Sequence, residues 1–160
     1  AYEIVSRDWS SDVVLFRSMF HKTKFSPIFP EKYVGDHTNI ICRSSWERTF
    51  ANWCDKNPDI VKWSSEETIV PYRCPTDGKI HRYFVDFKIT TVNGKTYLVE
   101  VKPAKQCEPP VYPGRNTQKY ITESMTYIKN QAKWAAAREF CKDRRWEFKI
   151  ITEYELGLKS

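Results

Sequence analysis

The chain has 160 residues, 41% hydrophobic and 15% aromatic, with only five glycines and nine prolines, which gives core material for one compact domain and excludes disordered, collagenous and low-complexity classes. Its longest apolar runs, such as residues 13–16 and 135–137, fall far short of the roughly 20 residues that cross a bilayer, and the Ala-Tyr-Glu-Ile start lacks a signal-peptide pattern, so a soluble, intracellular protein with no membrane partner is expected. Twenty-six basic against 20 acidic residues leave a net charge of +6, and nine basic against four acidic residues fall in 113–149, the footprint of a protein that meets a polyanion.

The first 43 residues hold one short helical pattern over residues 11–20, then the proline-broken run that begins at Phe25. Ser44-Ser-Trp-Glu47 has the S-x-x-E shape of a capping box and starts a helix of about three turns, with Trp46, Phe50, Trp53 and Cys54 on its apolar stripe, ending near Asn57-Pro58. Residues 60–63 and 68–72 are β-branched and apolar enough for a first strand, followed by a turn at 75–78. A second strand is expected over 81–91, a turn at Asn93-Gly94, and a third strand over 95–102. Residues 103–114, with four prolines, read as a loop. Beyond it, 117–142 puts Ile121, Met125, Ile128, Ala132 and Ala135 on one face of a long helix, and 146–152 forms a last strand. A crossover helix between the third and fourth strands favours parallel pairing there, hence a mixed α/β sheet. Five cysteines (42, 54, 74, 107, 141) without a C-x-x-C pair, and histidines 21, 37 and 81 without a partner at zinc-ligand spacing, read as reduced thiols and ordinary histidines.

The hairpin around Asn93-Gly94 has two possible registers. A two-residue turn sets Asp86 across from Val101 and Phe87 across from Glu100, mixing charged and apolar side chains on each face. A three-residue loop, Val92-Asn93-Gly94, with Gly94 in the left-handed conformation of a G1 bulge, sets Asp86 across from Glu100. Tyr83, Val85, Phe87, Ile89, Tyr97, Val99 and Val101 then share one apolar face. The other face holds Asp86, Lys88, Glu100 and Lys102, with Phe84 and Leu98. Burial pattern alone selects this second register.

Two carboxylates on neighbouring strands repel unless a cation lies between them, and an all-oxygen site suits Mg²⁺ or Mn²⁺. Such an ion supports phosphodiester hydrolysis, with Lys102 on the same strand face placed to orient water or neutralise charge at phosphorus. Glu47, at the border of the first helix's stripe, is the fourth candidate, although a Glu at the third position of a capping box also satisfies a backbone N–H in any protein.

Asp86, Glu100-Val-Lys102 and Glu47 resemble the catalytic elements of the PD-(D/E)XK nuclease superfamily, and the element order resembles its αβββαβ core. Ser45-Trp46-Glu47, Tyr83-Phe-Val-Asp86-Phe and Leu98-Val-Glu-Val-Lys-Pro103 look more closely like the TnsA-type endonuclease group, and within it like the nucleases of head completion in T4-like bacteriophages. The resemblance implies one nuclease domain over 1–160: an N-terminal extension at 1–43, the αβββαβ core at 44–152 and a tail at 153–160. It implies a Mg²⁺- or Mn²⁺-dependent endonuclease with Glu47, Asp86, Glu100 and Lys102 catalytic and the three carboxylates as metal ligands. It also implies double-stranded DNA as substrate, phage head or portal proteins as partners, and action in the host cytoplasm or virion, trimming DNA at the packaged head before the tail joins. Val85 stands where the superfamily name has Pro, and the Gln-x-x-x-Tyr element of RecB-like relatives does not occur in the long helix.

Lys129 and Lys133 on one helix flank, and Lys105, Arg115 and Lys119 near the proline loop, are candidates for phosphate contacts against the plainer reading of a solvated face. Two alternatives remain at this point: a structural virion component that keeps the fold without cutting, and a transposase-type endonuclease subunit.

Overall fold

The computed structural model describes residues 22–159, so the helix expected over 11–20 lies outside the described residues. The elements described are β1 (Thr23–Phe25), β2 (Ile40–Cys42), α1 (Ser45–Lys56), β3 (Ile60–Ser65), β4 (Ile69–Arg73), β5 (Ile80–Phe84), β6 (Phe87–Thr91), β7 (Thr96–Val101), α2 (Gln118–Arg144) and β8 (Glu147–Ile151). Short 3-10 turns occupy Pro30–Lys32 and Ala104–Cys107. The central sheet runs β3-β6-β7-β8, antiparallel except for the parallel β7–β8 pair across which α2 crosses. It is the mixed sheet that the crossover helix requires.

The β6–β7 hairpin adopts the register selected by burial: Phe87 faces Val99, Lys88 faces Leu98 and Ile89 faces Tyr97. Thr91 N donates to Lys95 O at 2.9 Å, Gly94 N donates to Thr91 O at 3.0 Å, and Gly94 has φ +81°, which a residue without Cβ adopts at little cost.

The strand expected over 81–91 is bent in two at Val85-Asp86, and the first strand is bent in step with it. β3 pairs with β6 in the central sheet, whereas β4 and β5 form a separate two-stranded sheet. Between Ser65↔Phe87 and Ile69↔Phe84, three residues (66–68) oppose two (85 and 86), a bulge in which Glu66 takes φ +56°. Glu66 N still donates to Asp86 O and Val85 N to Thr68 O, at 3.0 Å each. The extra residue re-aims the side chains. Tyr83 and Val85 therefore do not share a face with Phe87 and Ile89, as an unbroken strand would require.

Two cores result, one on each side of the sheet. The first joins Phe50, Ala51 and Cys54 of α1 to Trp63, Phe87, Ile89, Val99 and Val101. The second joins Trp134, Ala137 and Cys141 of α2 to Val70, Tyr72, Tyr83, Val85 and Leu98. The sheet face expected to carry only charged residues beside Phe84 and Leu98 is thus covered by α2. Lys88, expected beside Asp86, lies over the Trp146 ring instead, 4.3 Å from its centroid.

Of the described helices, α1 buries Phe50 and Cys54 of its expected stripe, with Trp46 packed against the core, whereas α2 buries a different stripe from the one expected. In α1 the buried residues are Glu47, Phe50, Ala51, Cys54 and Asp55, while Trp53 is exposed. In α2 they are Asn130, Trp134, Ala137 and Cys141, while Ile121, Met125 and Ile128 are exposed. Ser44 caps α1 as its S-x-x-E pattern predicts, Oγ accepting from Glu47 N, and Thr117 Oγ1 accepts from Tyr120 N at the start of α2, each at 3.1 Å.

The region expected as an extension contributes to the first core through Phe25, Tyr33, Ile40 and Cys42. Asp55, buried at the end of α1, fastens it by accepting from Ile28 N at 2.7 Å and Phe29 N at 3.0 Å. Lys32 Nζ donates to the carbonyls of Cys54, Asp55 and Asn57, each at 2.8 Å, placing a cation at the negative end of the helix. Asp55→Ala removes a charged acceptor from two backbone amides and should cost about 3 kcal/mol in denaturant unfolding. A loss below about 1 kcal/mol would show that these amides do not depend on it.

Candidate active site

Asp86 lies one residue beyond the β6 ladder, where the bend ends strand pairing. Its Oδ2 accepts from Val101 N at 2.8 Å, so the carboxylate takes the place of the missing strand partner. Glu100 continues β7, and its two oxygens are held separately: Tyr83 Oη donates to Oε2 at 2.5 Å, and Lys102 Nζ lies 3.2 Å from Oε1. Lys102 is fixed behind the strand end by its backbone N, which donates to Ile151 O at 2.9 Å. Glu47 approaches from α1. Its Oε2 accepts from Arg43 N at 2.7 Å, one residue outside the capping-box position, and its Oε1 is buried with no hydrogen-bond partner among the described residues.

All four side chains belong to buried residues, with relative exposures of 2% for Glu47 and Asp86, 4% for Glu100 and 3% for Lys102. Burying carboxylates close together raises the free energy of their charged forms. Burial, followed by the charges of Glu100 and Glu47, pushes the Asp86 carboxyl well above its ordinary range. Burial, opposed by the Arg43 N–H and reinforced by Glu66 and Glu100, pushes Glu47 up to about 8. Tyr83 is likewise raised, by burial and then by the charge of Glu100.

A cleft of about 540 Å³ reaches this group through Glu100 and Lys102 and is otherwise lined by Arg43, Glu66, Arg82, Tyr83, Phe84 and Lys133; Asp86 and Glu47 are not among its lining residues. Arg43 is tied to Glu66 through Nε–Oε1 at 2.6 Å and a second bond at 3.2 Å. Lys133 Nζ stands 5.9 Å and 5.7 Å from the ring centroids of Tyr72 and Tyr83, and its pKa is lowered by burial, partly offset by Glu100. The arrangement is an acidic floor with basic walls, complementary to a polyanion that arrives with cations of its own.

The bend and register thus bring Asp86, Glu100 and Lys102 to one place, and α1 adds Glu47 as a buried residue of its stripe. Of the five basic candidates, Lys133 lines the cleft, whereas Lys105, Arg115, Lys119 and Lys129 are not among its lining residues. Lys119 forms an ion pair with Glu123 at 3.6 Å. Strand alternation sets Tyr83 on the face opposite Asp86 and gives Arg43, Glu66 and Arg82 no role; the bulge that re-aims Tyr83 toward Glu100 leaves no mark in the sequence.

The residues fit a divalent cation on two counts: a buried carboxylate oxygen without a partner among the described residues, and two carboxyl groups raised by burial and then by neighbouring carboxylates. Glu47, Asp86 and Glu100 would hold it, an all-oxygen set that suits Mg²⁺ or Mn²⁺.

A family model for the N-terminal region of TnsA-like endonucleases matches residues 57–153. That span includes Asp86, Glu100 and Lys102 and begins after Glu47. The head completion nuclease of Enterobacteria phage T4 is 38% identical over 139 residues, which covers 84% of this chain and 93% of that protein. With the family match extending over most of the chain and the relative aligned along nearly its whole length, the chain belongs to the TnsA-like endonuclease N-terminal family.

Proposed function

We propose that the protein is a divalent-metal-dependent DNA endonuclease with a PD-(D/E)XK-type core that acts in phage head completion. The observation that carries this reading is the burial of Glu47, Asp86, Glu100 and Lys102 close enough to act on one another, with Glu100 and Lys102 lining a basic-walled cleft. Three carboxylates and a lysine are costly to bury together, and a chain that only needed to fold would gain stability from apolar residues there.

Asp86, Glu100 and Glu47 would hold the ion. When bound, Mg²⁺ or Mn²⁺ offsets phosphoryl charge and activates water for attack. Arg82, Arg43 and Lys133 bind the flanking phosphates and set the strand across the floor. Tyr83 Oη holds Glu100 Oε2 in place, leaving Oε1 to Lys102. The Lys102 ammonium orients the attacking water and neutralises charge that develops at phosphorus. The substrate is double-stranded DNA at a packaged head, with head or portal proteins as partners in the host cytoplasm or the virion.

Incubating supercoiled DNA with the protein and Mg²⁺ or Mn²⁺ tests the reading. Nicking by wild type, absent in EDTA and in Asp86→Ala, is expected. No nicking with either metal would favour a structural head component. Tyr83→Phe keeps the ring in its core and removes the hydroxyl, so cleavage should fall about 10-fold or more through kcat with the fold intact. Unchanged kcat would mean that Glu100 needs no such support.

A further inference from the structure

The β4–β5 turn, away from the acidic floor, brings together a different set of ligand atoms. Cys74, Asp77 and His81 place one ligand atom each within 4.8 Å of one another, although their spacing, Cys-x₂-Asp-x₃-His, matches none of the zinc patterns sought in the sequence. Strand register explains the convergence. Tyr72 faces His81 in the ladder, and Cys74 N donates to Lys79 O at 2.8 Å, so Cys74 and His81 are diagonal neighbours on one face of the hairpin. The turn closes with Gly78 N on Cys74 O at 2.8 Å and Gly78 at φ +71°. Asp77 is thereby folded back over that face, its Oδ1 accepting from Lys79 N at 2.9 Å and its Oδ2 lying 2.7 Å from His81 Nε2.

We propose that Cys74, Asp77 and His81 bind one Zn²⁺ ion that clips the β4–β5 turn. One sulfur, one nitrogen and one oxygen donor form a borderline-soft set that suits zinc and disfavours Mg²⁺, so this site is chemically distinct from the all-oxygen floor of the cleft. Cys74 is buried and forms the base of the site, while the side chains of His81 and Asp77, 44% and 39% exposed, leave an entry path and the fourth tetrahedral position to water. The Thr76 hydroxyl, 3.0 Å from Sγ, holds the Cys74 thiol below its ordinary pKa. On binding, the thiol proton leaves to solvent, and the His81–Asp77 contact opens from hydrogen-bond length to the roughly 3.3 Å between two ligands of a tetrahedral zinc ion. The clip steadies the hairpin that carries Tyr72 and Tyr83, whose rings flank Lys133 and whose Tyr83 hydroxyl holds Glu100.

Titrating the full chain with Co²⁺ reports the site through thiolate-to-cobalt charge-transfer absorption, which an all-oxygen site cannot give. One equivalent should bind with this band, Zn²⁺ should displace it, and excess Mg²⁺ should not. Cys74→Ser should abolish the band, His81→Ala should weaken binding at least about tenfold, and Asp86→Asn should leave both unchanged. Zn²⁺ should raise the melting temperature of wild type but not of His81→Ala. Absence of the band, its persistence at unchanged affinity in His81→Ala, or its loss to Mg²⁺ would each overturn the proposal. If Cys74→Ser fails to fold, His81→Ala and Asp77→Asn, both at half-exposed positions, decide the matter alone.

Discussion

Asp86→Asn should lower DNA cleavage on the order of 10³-fold or more while leaving the protein at least as stable as wild type in EDTA. The two outcomes share one cause. Asp86 is fully enclosed, and in the absence of a cation its carboxyl must either carry a buried charge beside Glu100 and Glu47 or bind a proton that it would release in the unfolded chain. Asn avoids both costs and can still accept from Val101 N through its amide oxygen. Ala cannot, so Asp86→Ala should lose roughly 1–3 kcal/mol by leaving that amide unpaired. Nicking assays and thermal melts in EDTA, run on both variants, check the prediction. A melting temperature for Asp86→Asn well below wild type would show that the carboxylate stabilises the fold by itself.

The second large effect is on the pH dependence of metal-free stability. Glu47 has its pKa raised from 4.5 to about 8, and Asp86 is raised well above its ordinary value. Between these limits the folded state binds more protons than the unfolded state, so unfolding free energy falls as pH rises. In EDTA Glu47 should therefore lower stability from about pH 4.5 to about pH 8, at up to about 1.4 kcal/mol per pH unit, and Asp86 should act in the same direction as pH rises above its ordinary value. Carboxyls with lowered pKa values, such as Asp36, Asp77 and Glu155, act below this window in the opposite sense. Glu47→Gln should flatten the slope, and saturating Mg²⁺ should reduce or reverse it, because metal binding favours the deprotonated carboxylates. Urea unfolding at pH 5, 6, 7 and 8 measures it. A flat or rising profile for wild type in EDTA would contradict the repulsion argued for the site.

The parts of the fold legible in the sequence are those where a local rule had only one solution. The β6–β7 register could be read because one pairing separates charged from apolar residues and the other mixes them, and Gly94 marks the loop. The start of α1 could be read because Ser44 and Glu47 form a capping-box pattern that satisfies the first amides of a helix. The helix faces could be read only in part: Phe50 and Cys54 are buried as expected. Periodicity treats Ile121, Met125 and Ile128 as core, yet the second core takes Trp134, Ala137 and Cys141, set by where the sheet lies and not by hydropathy. Glu47 was expected on a border for the same reason, since no apolar pattern anticipates a buried carboxylate.

The site was legible as far as it follows from the register. Asp86, Glu100 and Lys102 could be placed together from strand alternation. Arg43, Glu66 and Arg82 could not, because the bulge that brings them to the cleft is made by Glu66 at a left-handed φ with no glycine to announce it. The turn at 75–78 was foreseen, but its effect of gathering Cys74, Asp77 and His81 depends on the pairing of β4 with β5, which spacing rules for metal ligands do not consider.

The proposed cleavage needs a divalent ion at the carboxylates of the β6–β7 strand ends. Anomalous scattering from crystals of the protein soaked in Mn²⁺ measures this directly. A peak within coordination distance of carboxylate oxygens of both Asp86 and Glu100, lost in Asp86→Asn crystals, is the predicted result. Manganese bound only elsewhere, or a peak that survives the substitution, would contradict it.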